Sequence, residues 1–136
     1  MVIGDVEKMV AVGLIWGATN ALMRRGALIS DQQIQNKQSS SSIKTHQNPI
    51  LKTLIDWYNL LLVWQYSVPF IINLSASASF FAILSDTPIS LAVPVTNATT
   101  FAATAVFGMF LGEETRVGLT LFGTVLIILG VFVCVV

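Results

Sequence analysis

Three stretches of this chain run too long without a charge to be read as parts of an ordinary soluble fold. From Trp57 to Leu84, from Ser90 to Leu111, and again from Val117 to Val136, no Asp, Glu, Lys or Arg interrupts a largely apolar sequence. A helix that crosses a bilayer needs about 20 mostly apolar residues, and all three stretches reach that length. Composition points the same way. Charged residues make up 10% of the 136 and mean hydropathy is +0.78, whereas a soluble domain carries roughly 25% charged residues to solvate its surface. The expected fold class is an all-α membrane protein.

The apolar pattern predicts four spanning helices, at about 9–23, 57–84, 90–111 and 117–136, in one membrane domain covering 1–136. The first is short and stops at Arg24 and Arg25. With Asp5 and Glu7 against Lys8 ahead of it, and no small-residue cleavage pattern behind it, it reads as a retained anchor rather than a signal peptide. The second is longer than a ~30 Å hydrocarbon core requires, so it is expected to tilt, to bend at Pro69 or to begin in the interface. Trp57, Tyr58, Trp64 and Tyr66 crowd its start, as in an aromatic belt. Ser85 to Pro88 and Gly112 to Arg116 read as tight turns.

Between the first two helices, residues 24–56 are polar, with Ser39 to Ser42 in a row and no apolar periodicity. They read as a mobile loop. This loop and the last turn hold Arg24, Arg25, Lys37, Lys44, Lys52 and Arg116, against Lys8 on the other side. The positive-inside rule therefore puts loop 24–56 in the cytoplasm and both termini outside or in a lumen.

Several function classes drop out. Formal net charge is zero, seven basic against seven acidic residues, and no basic tract offers a nucleic-acid footprint. The lone His46 reads as a solvated loop residue, and Cys134 alone permits neither an internal disulfide nor a cysteine metal site. No catalytic triad, phosphate-cradling glycine loop, metal cluster or cofactor motif is present, so neither an enzyme nor a cofactor is expected. Glu113 and Glu114 suit the positive end of the fourth helix dipole. The sequons at Asn73 and Asn97 fall inside expected helices and are discounted.

Within the helices, small residues recur every fourth position, at Gly13, Gly17 and Ala21 and at Thr96, Thr100, Thr104, Gly108 and Gly112. Such a face lets two backbones approach closely. It serves either packing within the chain or self-association. Neutral polar residues recur as well: Trp16 and Asn20, Gln65 and Asn73 flanking Pro69, and Thr96 and Asn97 after Pro94. An amide in hydrocarbon needs a hydrogen bond, so these six are expected to point inward. They would either bond one another or line a polar cleft for a neutral or amphipathic solute of unknown identity. No carboxylate or basic residue falls at mid-membrane depth, where ion-coupled carriers usually keep one.

The segment Gly13-Leu14-Ile15-Trp16-Gly17-Ala18-Thr19-Asn20 resembles the first-helix signature of the drug/metabolite transporter (EamA-like) superfamily. Pro94-Val95-Thr96-Asn97 followed by Phe110-Leu111-Gly112-Glu113-Glu114 resembles its last two helices. Within that group the chain looks most like the transmembrane protein 234 family. The resemblance covers all four helices and leaves out the polar loop. It implies a four-helix bundle like the small multidrug resistance proteins, which work as dimers. Those exporters carry a glutamate three residues before the glycine matched by Gly17; here Leu14 stands there, so proton-coupled export is not implied. Two functions are carried forward: a transporter-like small-solute carrier acting as a dimer, and a non-transporting protein that assembles with or supports another membrane protein.

Overall fold

The computed structural model describes residues 3–40, 48–114 and 116–136. Among them the chain forms five helices and no strand: α1 (Ile3–Ser40), α2 (Pro49–Leu62), α3 (Trp64–Asp86), α4 (Ile89–Phe110) and α5 (Val117–Val135). Two of these, α3 at 23 residues and α4 at 22, are long and apolar enough to cross a membrane. The apolar part of α5, Val117–Val133, is shorter.

α1 is the centre of the bundle, packed against α4 on one side and α3 on another, while α5 rests on α4. At one end a small core gathers Met9, Ala92 and Val95, fully buried, with Val10, Phe80, Ile83, Leu84, Leu91 and Val131 against them. The start of α1 thus meets the end of α3, the start of α4 and the end of α5. At the other end Arg24 Nη1 lies 3.2 Å from Glu113 Oε2, tying α1 to the turn between α4 and α5.

Two expected boundaries move. The first helix does not stop at Met23, and the loop expected over 24–56 is largely helical: α1 runs on to Ser40, 38 residues in all. Arg, Ala, Leu, Gln and Lys dominate from Arg24 onward and no proline intervenes before Pro49. A helix nucleated in its apolar half propagates through such residues at little cost. Polarity there marks where the helix loses its apolar character, not where it ends. Residues 41–47, which include His46 and part of the serine row, lie outside the described residues.

The long second helix is also two helices. The break falls at Val63, which is extended (φ −75, ψ 108), and not at Pro69, which α3 accommodates. Lys52, Asp56 and Asn59 cannot follow α3 into hydrocarbon, so the chain turns before the apolar run begins. The fourth helix ends as a Schellman motif. Glu113 N–H donates to Gly108 O and Gly112 N–H to Met109 O, both at 3.1 Å, and Gly112 takes φ +78. That left-handed conformation favours glycine. Glu113 sits in this cap and on Arg24 rather than at the start of α5, for which the sequence reading had assigned it.

Candidate functional site

A polar cluster lies on the seam between α1 and α3. Trp16, Thr19 and Asn20 share one face of α1, and Asn73 comes to them from α3, ten residues after the break at Val63. The Asn73 amide Nδ2 donates to Thr19 Oγ1 at 2.8 Å and to Asn20 Oδ1 at 3.3 Å. Trp16 Nε1 donates to the Asn73 carbonyl at 3.3 Å, and Ser77 Oγ donates to the same carbonyl at 2.9 Å. Thr19 in turn donates to Ile15 O at 2.7 Å. The Trp16 ring tilts against Phe80, centroids 5.2 Å apart, closing the cluster on its apolar side.

Thr19 is buried and Trp16, Asn20, Asn73 and Ser77 are half-buried. The principal donors are spent on neighbours inside the chain, which is how amides are kept in an apolar medium. Hydrogen bonds of this kind between membrane helices contribute about 0.6 kcal/mol each, rarely above about 1.7. Three of the six residues expected at a polar cleft are therefore brought together. Thr19 and Ser77 were missed, although spacing held the signal: each sits three or four residues along the same helix face from Trp16 or Asn73.

The other three go elsewhere. Gln65 is half-buried at the opposite end of the bundle, its backbone set against Gly26 of α1. A Cβ on Gly26 would lie 2.9 Å from the Gln65 carbonyl oxygen. Thr96 is fully buried and its hydroxyl has no hydrogen-bond partner among the described residues. Asn97 does not point inward at all: it is exposed on the outer side of α4. The register explains the difference, since Val95, Thr96 and Thr100 take the buried stripe and the next residue is rotated out of it.

The small-residue faces form the seam between α1 and α4. A Cβ on Gly13 would come within 2.9 Å of Thr96 O, and one on Gly17 within 2.8 Å of Thr100 O. Ala21 is buried one turn further on. Thr100 and Thr104 donate to the carbonyls of Thr96 and Thr100, at 2.7 and 2.8 Å, so their hydroxyls are satisfied within α4. The series then parts company with the seam. Gly108 lies beneath Glu113, and Gly112 makes the turn. Leu14 is 47% exposed, on the outside of α1.

Among the described residues no three His, Cys, Asp or Glu side chains come together. The sequence matches the model of transmembrane family 234 over residues 9–135. It is 34% identical over 134 residues to a transmembrane protein 234 homolog of Dictyostelium discoideum, covering 96% of this chain and 94% of that one. It is 30% identical over 129 residues to the homolog of Anopheles gambiae, covering 95% and 84%. No solved structure matches it.

Proposed function

We propose, given that this chain belongs to transmembrane family 234, that it is a non-catalytic multi-pass membrane protein that acts by assembling with a second copy of itself. The assembling surface in this reading is the outer face of α4 around Asn97. One observation carries it. Asn97 is exposed near the middle of a helix apolar enough to cross a membrane, and an unbonded amide in hydrocarbon costs several kcal/mol. Pro94, exposed one turn earlier, has no N–H to offer the Ser90 carbonyl, so a second polar group opens onto the same face. A carboxamide both donates and accepts. Two copies related by a two-fold axis can therefore pair Asn97 with Asn97, which is the self-complementarity an isologous interface requires.

The seam of Gly13 and Gly17 supports this assignment by exclusion: it is already occupied by α4. In the same reading α1, α3, α4 and α5 all span the bilayer, and α2 does not. The basic residues of the α1–α3 connection and Arg116 then face the cytoplasm, with both termini outside or in a lumen. The motif likeness to the drug/metabolite transporter superfamily and to small multidrug resistance proteins supports a dimer of such bundles.

Cysteine substituted at Asn97 should crosslink two copies in native membranes, and Asn97→Leu should weaken dimerisation in bilayers at least tenfold, while Asn97→Gln retains it. Equal dimer fractions for wild type and Asn97→Leu would sink the proposal. A second reading, a solute carrier with its path between two copies, is favoured by the same exposed amide. Saturable flux in proteoliposomes, lowered by Asn97→Ala with the dimer intact, would select it over assembly alone.

A further inference from the structure

Where α1 has left its apolar half, it and α2 flank an open cavity of about 370 Å³, within the range of small-molecule sites. Ser30, Asp31 and Gln35 line it from α1, and Lys52, Asp56 and Trp57 from α2. We infer that this cavity holds the headgroup of a phospholipid that joins an ammonium to a phosphate.

Three features carry the inference. The first is charge. The cavity has two carboxylates and one ammonium, and none of Asp31, Asp56 and Lys52 has an ion pair among the described residues. A lone anion would meet net negative charge and a lone cation would leave Lys52 unmatched. A zwitterion answers both, its ammonium between Asp31, Asp56 and the Trp57 ring, its phosphate on Lys52. The second is an unspent hydroxyl. Ser30 is 3% exposed and lines the cavity, yet makes no hydrogen bond among the described residues. Its hydroxyl is open to the cavity rather than sealed away, so a phosphate oxygen there would accept its proton.

The third is position. Around α2 the cavity residues Lys52, Thr53, Asp56 and Trp57 occupy one side. Ile50, Leu51, Leu54, Tyr58 and Leu62 occupy another, each between 49% and 75% exposed. A short helix with such a divided surface, joined at Val63 to a helix able to cross the membrane, lies in the interface with its apolar side in the acyl region. Trp57, Tyr58 and Trp64 fix that depth. The cavity therefore opens at headgroup level, with acyl chains running along the apolar side of α2. This assignment is independent of how the Asn97 face is covered.

The test is native mass spectrometry of the full chain released from vesicles of equal phosphatidylethanolamine and phosphatidylglycerol. The wild type should retain phosphatidylethanolamine at least tenfold over phosphatidylglycerol. Asp31→Asn with Asp56→Asn should abolish that preference, and Thr53→Trp, which fills the cavity without removing a charge, should abolish retention. Equal retention of both lipids by the wild type would overturn the inference, as would an unchanged preference in either variant. Free phosphoethanolamine displacing the lipid at equal concentration would overturn the lipid assignment in favour of a soluble zwitterion. Far-ultraviolet circular dichroism of each variant reports whether the helices remain folded, and Lys52→Gln, which should lower retention several-fold, serves if the double variant does not fold.

Discussion

Asn73 and Thr19 face each other across the α1–α3 seam, with the amide nitrogen of the first 2.8 Å from the hydroxyl oxygen of the second. Thr19 is buried and has already given its own proton to Ile15 O, so it can only accept. The pair has one workable polarity, and Asn20 takes the remaining amide hydrogen.

Asn73→Leu should therefore destabilise the bundle by about 1–2 kcal/mol, the sum of two intramembrane hydrogen bonds. Reversible unfolding in mixed micelles would measure it. Trp16 bonds the backbone carbonyl at 73, not the amide, so in a chain with Trp57 and Trp64 replaced by Phe its emission should not move on Asn73→Leu. A large red shift would mean that the side chain, and not the carbonyl, holds the ring.

Two glycine substitutions should diverge. At Gly17 an added methyl meets the Thr100 carbonyl at 2.8 Å, backbone that cannot swing aside, so Gly17→Ala should cost about 1–3 kcal/mol or more. At Gly123 nothing lies within 4 Å, so Gly123→Ala should be neutral or gain about 0.5–1 kcal/mol from helix propensity. Thermal melts of the two variants in one detergent decide it. Comparable losses at both would show that α5 packs as tightly as α1.

Thr96→Val should raise stability by about 1 kcal/mol. The hydroxyl is fully buried without a partner among the described residues, and an isosteric methyl removes that desolvation cost while keeping the volume. A loss of more than about 1 kcal/mol in the same melts would mean that a buried water bonds the hydroxyl.

Gly112→Ala should cost about 1–2 kcal/mol from conformation alone. Its φ is +78 and open space surrounds the position, so sterics add nothing to the left-handed penalty. Gly112→Asn should recover part of the loss, and the ordering Gly, Asn, Ala in unfolding midpoint is the check.

How far the sequence could be read depended on which signals are local. The spans of α3 and α4 announced themselves through uninterrupted apolarity, and the turn at Gly112 through its glycine. The meeting of Trp16, Asn20 and Asn73 was foreseeable from the cost of amides in hydrocarbon. Asn97 defeated the same rule because the rule names a need for a partner and not the side on which the partner stands. Residues 24–40 defeated it differently. Polar composition suggests a loop, but helix propagation depends on propensity and nucleation, and Gln and Lys extend a helix well. The break at Val63 carries only an indirect signature, the polar Lys52, Asp56 and Asn59 ahead of it; no glycine or proline marks the position itself.

The continuation of α1 past Arg24 turns the protein into a ruler. An α-helix rises about 1.5 Å per residue, so the stretch from Arg24 to Ser40 lifts its far end about 25 Å along a line set by the helix buried beneath it. A fluorophore at Ser39 and one at Leu28 would ride on the same rod, about 16 Å apart along its axis. Energy transfer from each to a membrane dye would report the tilt of α1 as a single ratio, with no tether to average it away.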